Sequence, residues 1–288
     1  MTEITTPQTK LHQQVLLQIL TEFDRVCREL DVKYTLFAGT MLGAVRHKGF
    51  IPWDDDLDIL MFREDYEKFM DNAEKLIDSE KFFLQKEFSQ HWPMFFSKLR
   101  MNNTTCLEKF HPKDKKQHQG IYIDIFPCDS LADNKIAAKL QFLSSKIVIA
   151  KCLDKRGYDT DSTKKKIFMF LCRLVPLKPF WAFAKGSNHN SRKAHTFFAA
   201  ASRYEKSVLE RNLLSHVVMM DFEQGRYPVS SGYDSILKTL YGDYMVLPPE
   251  EDRAVKQHAI LIDVNNSYEK YENYRDNMTF DVYTRSIR

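Results

Sequence analysis

Asp56 and Asp58 stand two residues apart at the head of an apolar run that continues to Phe62, and a third acid, Asp124, stands inside the run Ile121–Phe126. In a β-strand, residues i and i+2 project to the same face. Asp56 and Asp58 are therefore expected to point together while Leu57 and Ile59 enter the core. Two carboxylates so placed repel each other unless a cation lies between them. Hard oxygen donors with open positions suit Mg2+ or Mn2+, which also take phosphate oxygens. The plain alternative for the pair is a solvated acidic turn. Asp124 alternates with Ile121, Ile123 and Ile125, and an acid in so apolar a strand needs a partner. That partner is either a metal shared with Asp56 and Asp58 or a buried Arg or Lys.

Ahead of the acids, Tyr34–Ala38 reads as a short strand that stops at Gly39. Met41–Val45 follows as a short helix. A Gly39-Thr40 turn running into a helix start can hold a phosphate on backbone N–H groups. Residues 11–30 carry Leu16, Leu20, Phe23, Cys27 and Leu30 at helical spacing. Asp56–Phe62 reads as a strand and residues 63–78 as a helix with Tyr66, Phe69, Met70, Ala73 and Ile77 on one face. Phe82–Gln85, Met94–Leu99, Thr105–Lys109 and Ile121–Phe126 are extended in pattern. Helical patterns then dominate, near 134–155, 163–175, 191–208, 233–241 and 249–262. The expectation is an α+β chain: a small mixed sheet with flanking helices over residues 1–132, then a mostly helical half over residues 133–288 that covers it.

The bulk composition excludes several classes. The chain has 288 residues, 43% of them hydrophobic, and a net charge of +3 from 42 basic and 39 acidic side chains. So balanced a charge does not describe a nucleic-acid binder. Its five cysteines form no C-x-x-C pair, which argues against a disulfide framework or zinc ribbon and fits a reducing compartment. Met1–Lys10 is polar and lacks the apolar stretch of a signal peptide. The most apolar segment, Ile167–Ala184, is interrupted by Arg173, Pro176, Lys178 and Pro179. It reads as buried core helices, with Phe168, Phe170 and Trp181 in the core together with Phe197 and Phe198. The alternative is a helix on a membrane surface beside Lys164–Lys166. No P-loop, dinucleotide G-x-G-x-x-G element or EF-hand loop is present in the sequence.

The order of Gly-Thr turn, same-face Asp pair and later Asp on a strand resembles the nucleotidyltransferase superfamily. The stretch from Phe37-Ala38-Gly39-Thr40 through Arg46, Trp53, Asp54 and Asp55 to Asp58-Ile59 is similar, more narrowly, to the signature of the LicD family. These are phosphorylcholine transferases of bacterial cell-surface glycans, distantly similar to fukutin-type transferases. Ile121–Pro127 resembles the family's second block, and Tyr241–Met245 with Pro248, Pro249 and His258 resembles its C-terminal block.

What the resemblance implies is transfer of phosphocholine from CDP-choline to a sugar hydroxyl of a glycan or lipid-linked precursor, with CMP leaving. Asp56 and Asp58 would hold metal at the diphosphate; Asp124 would hold a second ion and accept the acceptor's proton. Gly39 and Thr40 would contact phosphates, and Arg46, Lys98 and Arg100 would meet developing charge. Lys98 and Arg100 share a strand face; the alternative for both is ordinary surface charge. Trp53 would pack on the choline ammonium or anchor the core. Asp54 and Asp55 would tune the metal site, accept from the ammonium or cap the loop. His47 and His258 would donate to phosphate or acceptor, with a structural role as the alternative. Other CDP-linked donors, glycerol or ribitol, fit the same fold, and so does a non-catalytic glycan- or partner-binding relative. The implied acceptor places the protein in the cytoplasm at the inner membrane face, with peripheral membrane contact.

Overall fold

Leu16, Ile19, Leu20, Phe23, Val26 and Cys27 recur at helical spacing, and all six are buried where helix α1 (Pro7–Glu29) lies against the sheet. Burial of that stripe, rather than intrinsic propensity, holds such a helix in place. The computed structural model describes residues 7–108, 114–158, 160–186, 191–199, 203–253 and 259–271. After α1 come β1 (Thr35–Leu36), α2 (Ala38–His47), β2 (Asp58–Phe62) and α3 (Arg63–Asn72), then β3 (Phe82–Gln85), β4 (Ser97–Met101), β5 (Thr105–Glu108) and β6 (Tyr122–Ser130). Helices α5 (Thr163–Arg173) and α6 (Leu177–Lys185) each pack on α4 (Lys135–Arg156). The chain continues through β7 (Lys193–His195), α7 (Tyr204–Ser207), β8 (Val208–Glu210), α8 (Arg211–Ser215), β9 (Val217–Phe222), β10 (Gly225–Ser230), α9 (Tyr233–Tyr241), α10 (Glu250–Arg253) and β11 (Ala259–Asp263).

The main sheet is mixed, in the order β3-β4-β6-β2-β1-β10-β9, with β7 and β8 attached at the end of β6. Strand β2 runs parallel to β6 and antiparallel to β1, and β1 runs parallel to β10. A separate ribbon joins β5 to β11. Helices α1 and α3 pack on the central strands and meet through Phe23 and Phe69, ring centroids 4.8 Å apart. The α+β class is as expected, and the sheet draws strands from both sides of residue 132.

The strands after residue 190 are what periodicity did not anticipate. Residues 191–208 read as helical in pattern. In the structure Lys193–His195 instead pairs with the end of β6, Asp129 opposite His195. Tertiary pairing outweighs a propensity of a few tenths of a kcal/mol per residue. The hairpin β9–β10 escaped notice because Pro228 lies inside it and its turn, Glu223-Gln224, lacks the usual Asn-Gly or Asp-Gly signal. Glu223 takes φ 54 to make that turn. Within 249–262 only Glu250–Arg253 is helical among the described residues, and Ala259–Asp263 is a strand. Phe197 and Phe198 are core, but Phe168 and Phe170 are 40% and 57% exposed, so the buried-helix reading of Ile167–Ala184 does not hold for them.

The loop between α2 and β2 is shaped by glycine. Gly43 lies in α2, and a Cβ there would stand 2.4 Å from the Gly49 carbonyl oxygen. Gly43→Ala must push residues 49–51 away from the helix. It is expected to destabilise the protein by about 1–3 kcal/mol, the usual cost of overpacking, read as a lower melting temperature. An unchanged melting temperature would show that the contact relaxes without strain.

Candidate functional site

Backbone pairing fixes where the acids stand. Asp58 opens β2 and lies in register with Asp124 of the parallel strand β6. Asp124 is in turn opposite Lys98 on β4, and Lys98 is opposite Gln85 on β3. One row therefore crosses four strands as Asp58, Asp124, Lys98, Gln85. Three backbone bonds pin its head: Asp58 N–H donates to Thr40 Oγ1 at 2.8 Å, Phe37 N–H donates to Asp58 O at 3.0 Å, and Asp124 N–H donates to Leu57 O at 2.9 Å.

The acidic loop ahead of Asp58 is clamped from both sides. Gln13 Nε2 of α1 donates to the carbonyls of Ile51 and Asp54, at 3.2 and 3.0 Å, and His12 Nε2 donates to Asp55 O at 2.9 Å. From the other side, Glu223 Oε1 accepts from Phe50 N–H at 2.9 Å and Glu223 N–H donates to Lys48 O. Nothing in the local sequence signals these partners, which are 38–175 residues away along the chain. The carboxylates of Asp54, Asp55 and Asp56 each offer an oxygen within 4.8 Å of the others, the spacing of a shared cation. Asp55 also accepts from Ala259 N–H through Oδ2, at 3.3 Å.

Asp54, Asp56 and Asp58 line a cleft of about 720 Å³ together with Gly39, Arg46, Trp53, Tyr241, Asp243 and Tyr244. That volume suits a nucleotide-sized ligand. At Gly39 a Cβ would meet Asp54 Oδ2 at 2.9 Å, so glycine is what lets that carboxylate approach the first turn of α2. Its neighbour Ala38 turns the chain into α2 at φ 46, a left-handed conformation that costs a non-glycine residue about 1 kcal/mol. Burial pushes the Asp58 carboxyl well above the usual range, and Asp56, Asp124 and Asp54 push it further. Lys98 opposes this only as the least of those influences. Burial also raises Asp124, against the pull of Lys98.

The other candidates divide by place. Thr40 is 2% exposed, and its hydroxyl is engaged by the Asp58 backbone. Asp124 does not line the cleft; Lys98 Nζ lies 3.0 Å from its Oδ1 and 3.6 Å from Glu108 Oε1. Arg100 donates to Gln85 Oε1 and Gly120 O, both at 2.7 Å. Lys98 and Arg100 are each 1% exposed, which rules out ordinary surface charge and sets both cations behind the cleft instead of on its wall. Glu108 completes this buried group. Burial raises its carboxyl, but Lys98, Arg156 and Arg100 outweigh that and hold it well below the usual range. Arg156 bonds its other oxygen. Trp53 lines the cleft with the Arg253 guanidinium 5.0 Å from its ring centroid, so that ring already attracts a cation. Arg46 lines the cleft and donates to Tyr244 O at 2.7 Å, and its Nε lies 3.4 Å from His47 Nδ1. His258 is outside the described residues. Tyr241 and Asp243 were visible as a sequence block without a role; the structure puts both on the cleft wall.

Removing the Thr40 hydroxyl tests the scaffold separately from the chemistry. Thr40→Val leaves the Asp58 N–H without its acceptor and is expected to cost about 1–3 kcal/mol, while Thr40→Ser retains the oxygen and most of the stability. Equal melting temperatures for the two variants would contradict this role.

Residues 31–153 match the family profile described as LicD/FKTN/FKRP, nucleotidyltransferase domain. Over 267 aligned residues the chain is 28% identical to the Lipopolysaccharide cholinephosphotransferase LicD of Haemophilus influenzae, covering 86% of this chain and 94% of that one. Uncharacterized proteins of Rickettsia prowazekii and Rickettsia typhi are each 46% identical over 50 residues, 17% of this chain and 19% and 16% of theirs.

Proposed function

This chain belongs to the LicD family, and from that premise we propose that it is a phosphotransferase moving phosphocholine from CDP-choline to a hydroxyl of a glycan or glycolipid precursor. The observation that carries the proposal is the convergence of Asp54, Asp56 and Asp58 on one cleft with the first turn of α2 and Arg46. In the reaction the acceptor oxygen bonds to the phosphorus that carries choline, the bond from that phosphorus to the CMP oxygen breaks, and the hydroxyl proton passes to a base.

Transfer of this kind is promoted mainly by positioning and charge neutralisation. The carboxylates present fit a divalent cation: all donors are hard oxygens, and the raised proton affinity of Asp58 is that of a buried carboxylate short of positive charge. Mg2+ or Mn2+ held by Asp54, Asp55 and Asp56, with Asp58 on the same cleft, would neutralise the diphosphate and the leaving phosphate. Asp124 lies beside Asp58 and behind the cleft, where Lys98 holds it. Its part in this proposal is to fix the charge behind Asp58. The first turn of α2 faces the cleft and offers backbone N–H groups to a phosphate oxygen. Arg46 brings positive charge to the wall. A quaternary ammonium has no N–H to donate, so aromatic faces and nearby carboxylates recognise it. Tyr241 and Tyr244 with Asp243 supply both, whereas the Trp53 ring is engaged by Arg253.

The test is release of CMP from CDP-choline with Mg2+ or Mn2+ and a sugar acceptor mixture. Chelation should abolish release. Asp56→Asn and Asp58→Asn should each lower turnover by about two to three orders of magnitude at unchanged fold by circular dichroism. Full activity in both variants would remove the carboxylates from the reaction. Turnover with CDP-glycerol or CDP-ribitol but not CDP-choline would keep the mechanism and change the substrate.

A further inference from the structure

Helix α5 is amphipathic with its apolar stripe pointing the wrong way for a core helix. Met169 and Cys172 are its buried residues. Ile167, Phe170, Leu171 and Leu174 recur at the i, i+3, i+4, i+7 spacing of one helix face, and they are 56%, 57%, 53% and 73% exposed. At 100° per residue, that stripe lies opposite the buried pair. Phe168 and, on α6, Phe183 extend the exposed apolar surface. The two helices meet at a bend of 104°. No single helix among the described residues is long and apolar enough to cross a membrane, and so sharp a corner at Pro176 is a poor span.

Within the α5–α6 segment itself the charge has one sign. Between Thr163 and Gly186 there are six basic residues and no acidic one, in a chain that otherwise balances its charges. Arg173 is paired with Asp154 and Lys185 with Glu67. Lys164, Lys165 and Lys166 at the start of α5, and Lys178 at the start of α6, are exposed. Aromatic and aliphatic side chains flanked by lysines, with no acid within the segment, are the composition of a helix that lies in a lipid interface. A second copy of this chain fits less well: a two-fold interface sets the same patch against itself and would bring the lysines together.

We propose that the α5–α6 corner is a membrane-docking surface that inserts Ile167, Phe170, Leu171, Leu174 and Phe183 into an anionic phospholipid bilayer while its lysines contact lipid phosphates. The proposal stands on exposure and charge alone and holds whichever donor the cleft takes. Docking at this corner would keep the enzyme next to lipid-linked molecules without a spanning helix.

The experiment is co-sedimentation of the full chain with phosphatidylcholine vesicles, with and without about one third phosphatidylglycerol. The wild type should bind the anionic vesicles, release at high salt, and bind pure phosphatidylcholine weakly. Each lysine near an anionic surface raises partitioning roughly fivefold, so replacing Lys164, Lys165 and Lys166 together by Gln should lower it about a hundredfold. Phe170→Ser with Leu174→Ser should lower it at least about tenfold, at unchanged melting temperature because both side chains are exposed. Wild-type protein that stays in the supernatant with anionic vesicles overturns the proposal. So do lysine variants that bind like wild type, and so does a dimer, without vesicle binding, that the Phe170→Ser, Leu174→Ser variant dissolves.

Discussion

The parallel pairing of β2 with β6 sets Asp58 beside Asp124, and much of the site answers to the repulsion this creates. Two carboxylates in adjacent register positions, both largely removed from water, disfavour being charged together. On the side away from the cleft, described cations offset this charge. Lys98 stands against Asp124, Glu108 stands against Lys98, and Arg156 and Tyr122 bond Glu108. Lys98 also lies 3.1 Å from the centroid of the Tyr122 ring. Removing one member of such a buried group leaves another charge unpaired, at about 3–5 kcal/mol. The chain of alternating charge ends at Asp124. On the cleft side, Asp58 meets Asp54 and Asp56, which add negative charge instead of cancelling it.

The gathering of acids on one cleft is the physical ground for the proposed ligand of opposite sign. A folded chain whose buried carboxyl has a raised proton affinity is stabilised at low pH and loses that stability as pH rises through the folded value. The proposed reaction needs the site ionised near neutral pH, and the three loop acids have the spacing to share a cation. The same geometry explains why the backbone around Asp58 is fixed by three hydrogen bonds and why Ala38 tolerates a left-handed turn beside it. Repelling groups stay together only where the surrounding structure leaves them no other position.

Much of this was legible in the sequence, for physical reasons. Asp56–Phe62 and Ile121–Phe126 combine alternation with acids at positions that strand geometry maps to one row, so their partnership could be read before any contact was known. Helix α1 and the strand Phe82–Gln85 followed from simple periodicity. The sequence allows Asp124 either a metal or a buried cation as partner, and Lys98 occupies the second role. What could not be read is long-range. Gln13, His12 and Glu223 hold the acidic loop through backbone carbonyls and N–H groups, interactions that leave no periodic trace. Strand β10 is recruited to β1 in spite of Pro228, because Val229 pairs with Leu36.

These long-range clamps have a consequence for how the site comes into being. The acidic loop is short and repels itself, so local sequence alone cannot hold it. It is fixed by α1 from the start of the chain and by the β9–β10 turn from beyond residue 220, while α9 and the segment after it supply the opposite wall of the cleft. The residues matched to the LicD domain, 31–153, contain the acids but neither clamp nor that wall. The carboxylates therefore reach their arrangement only when α1 and the β9–β10 hairpin have both docked on the central sheet. Closing such long loops is entropically expensive before the contacts form. The assembled site is accordingly a property of the whole fold rather than of the motif that announces it.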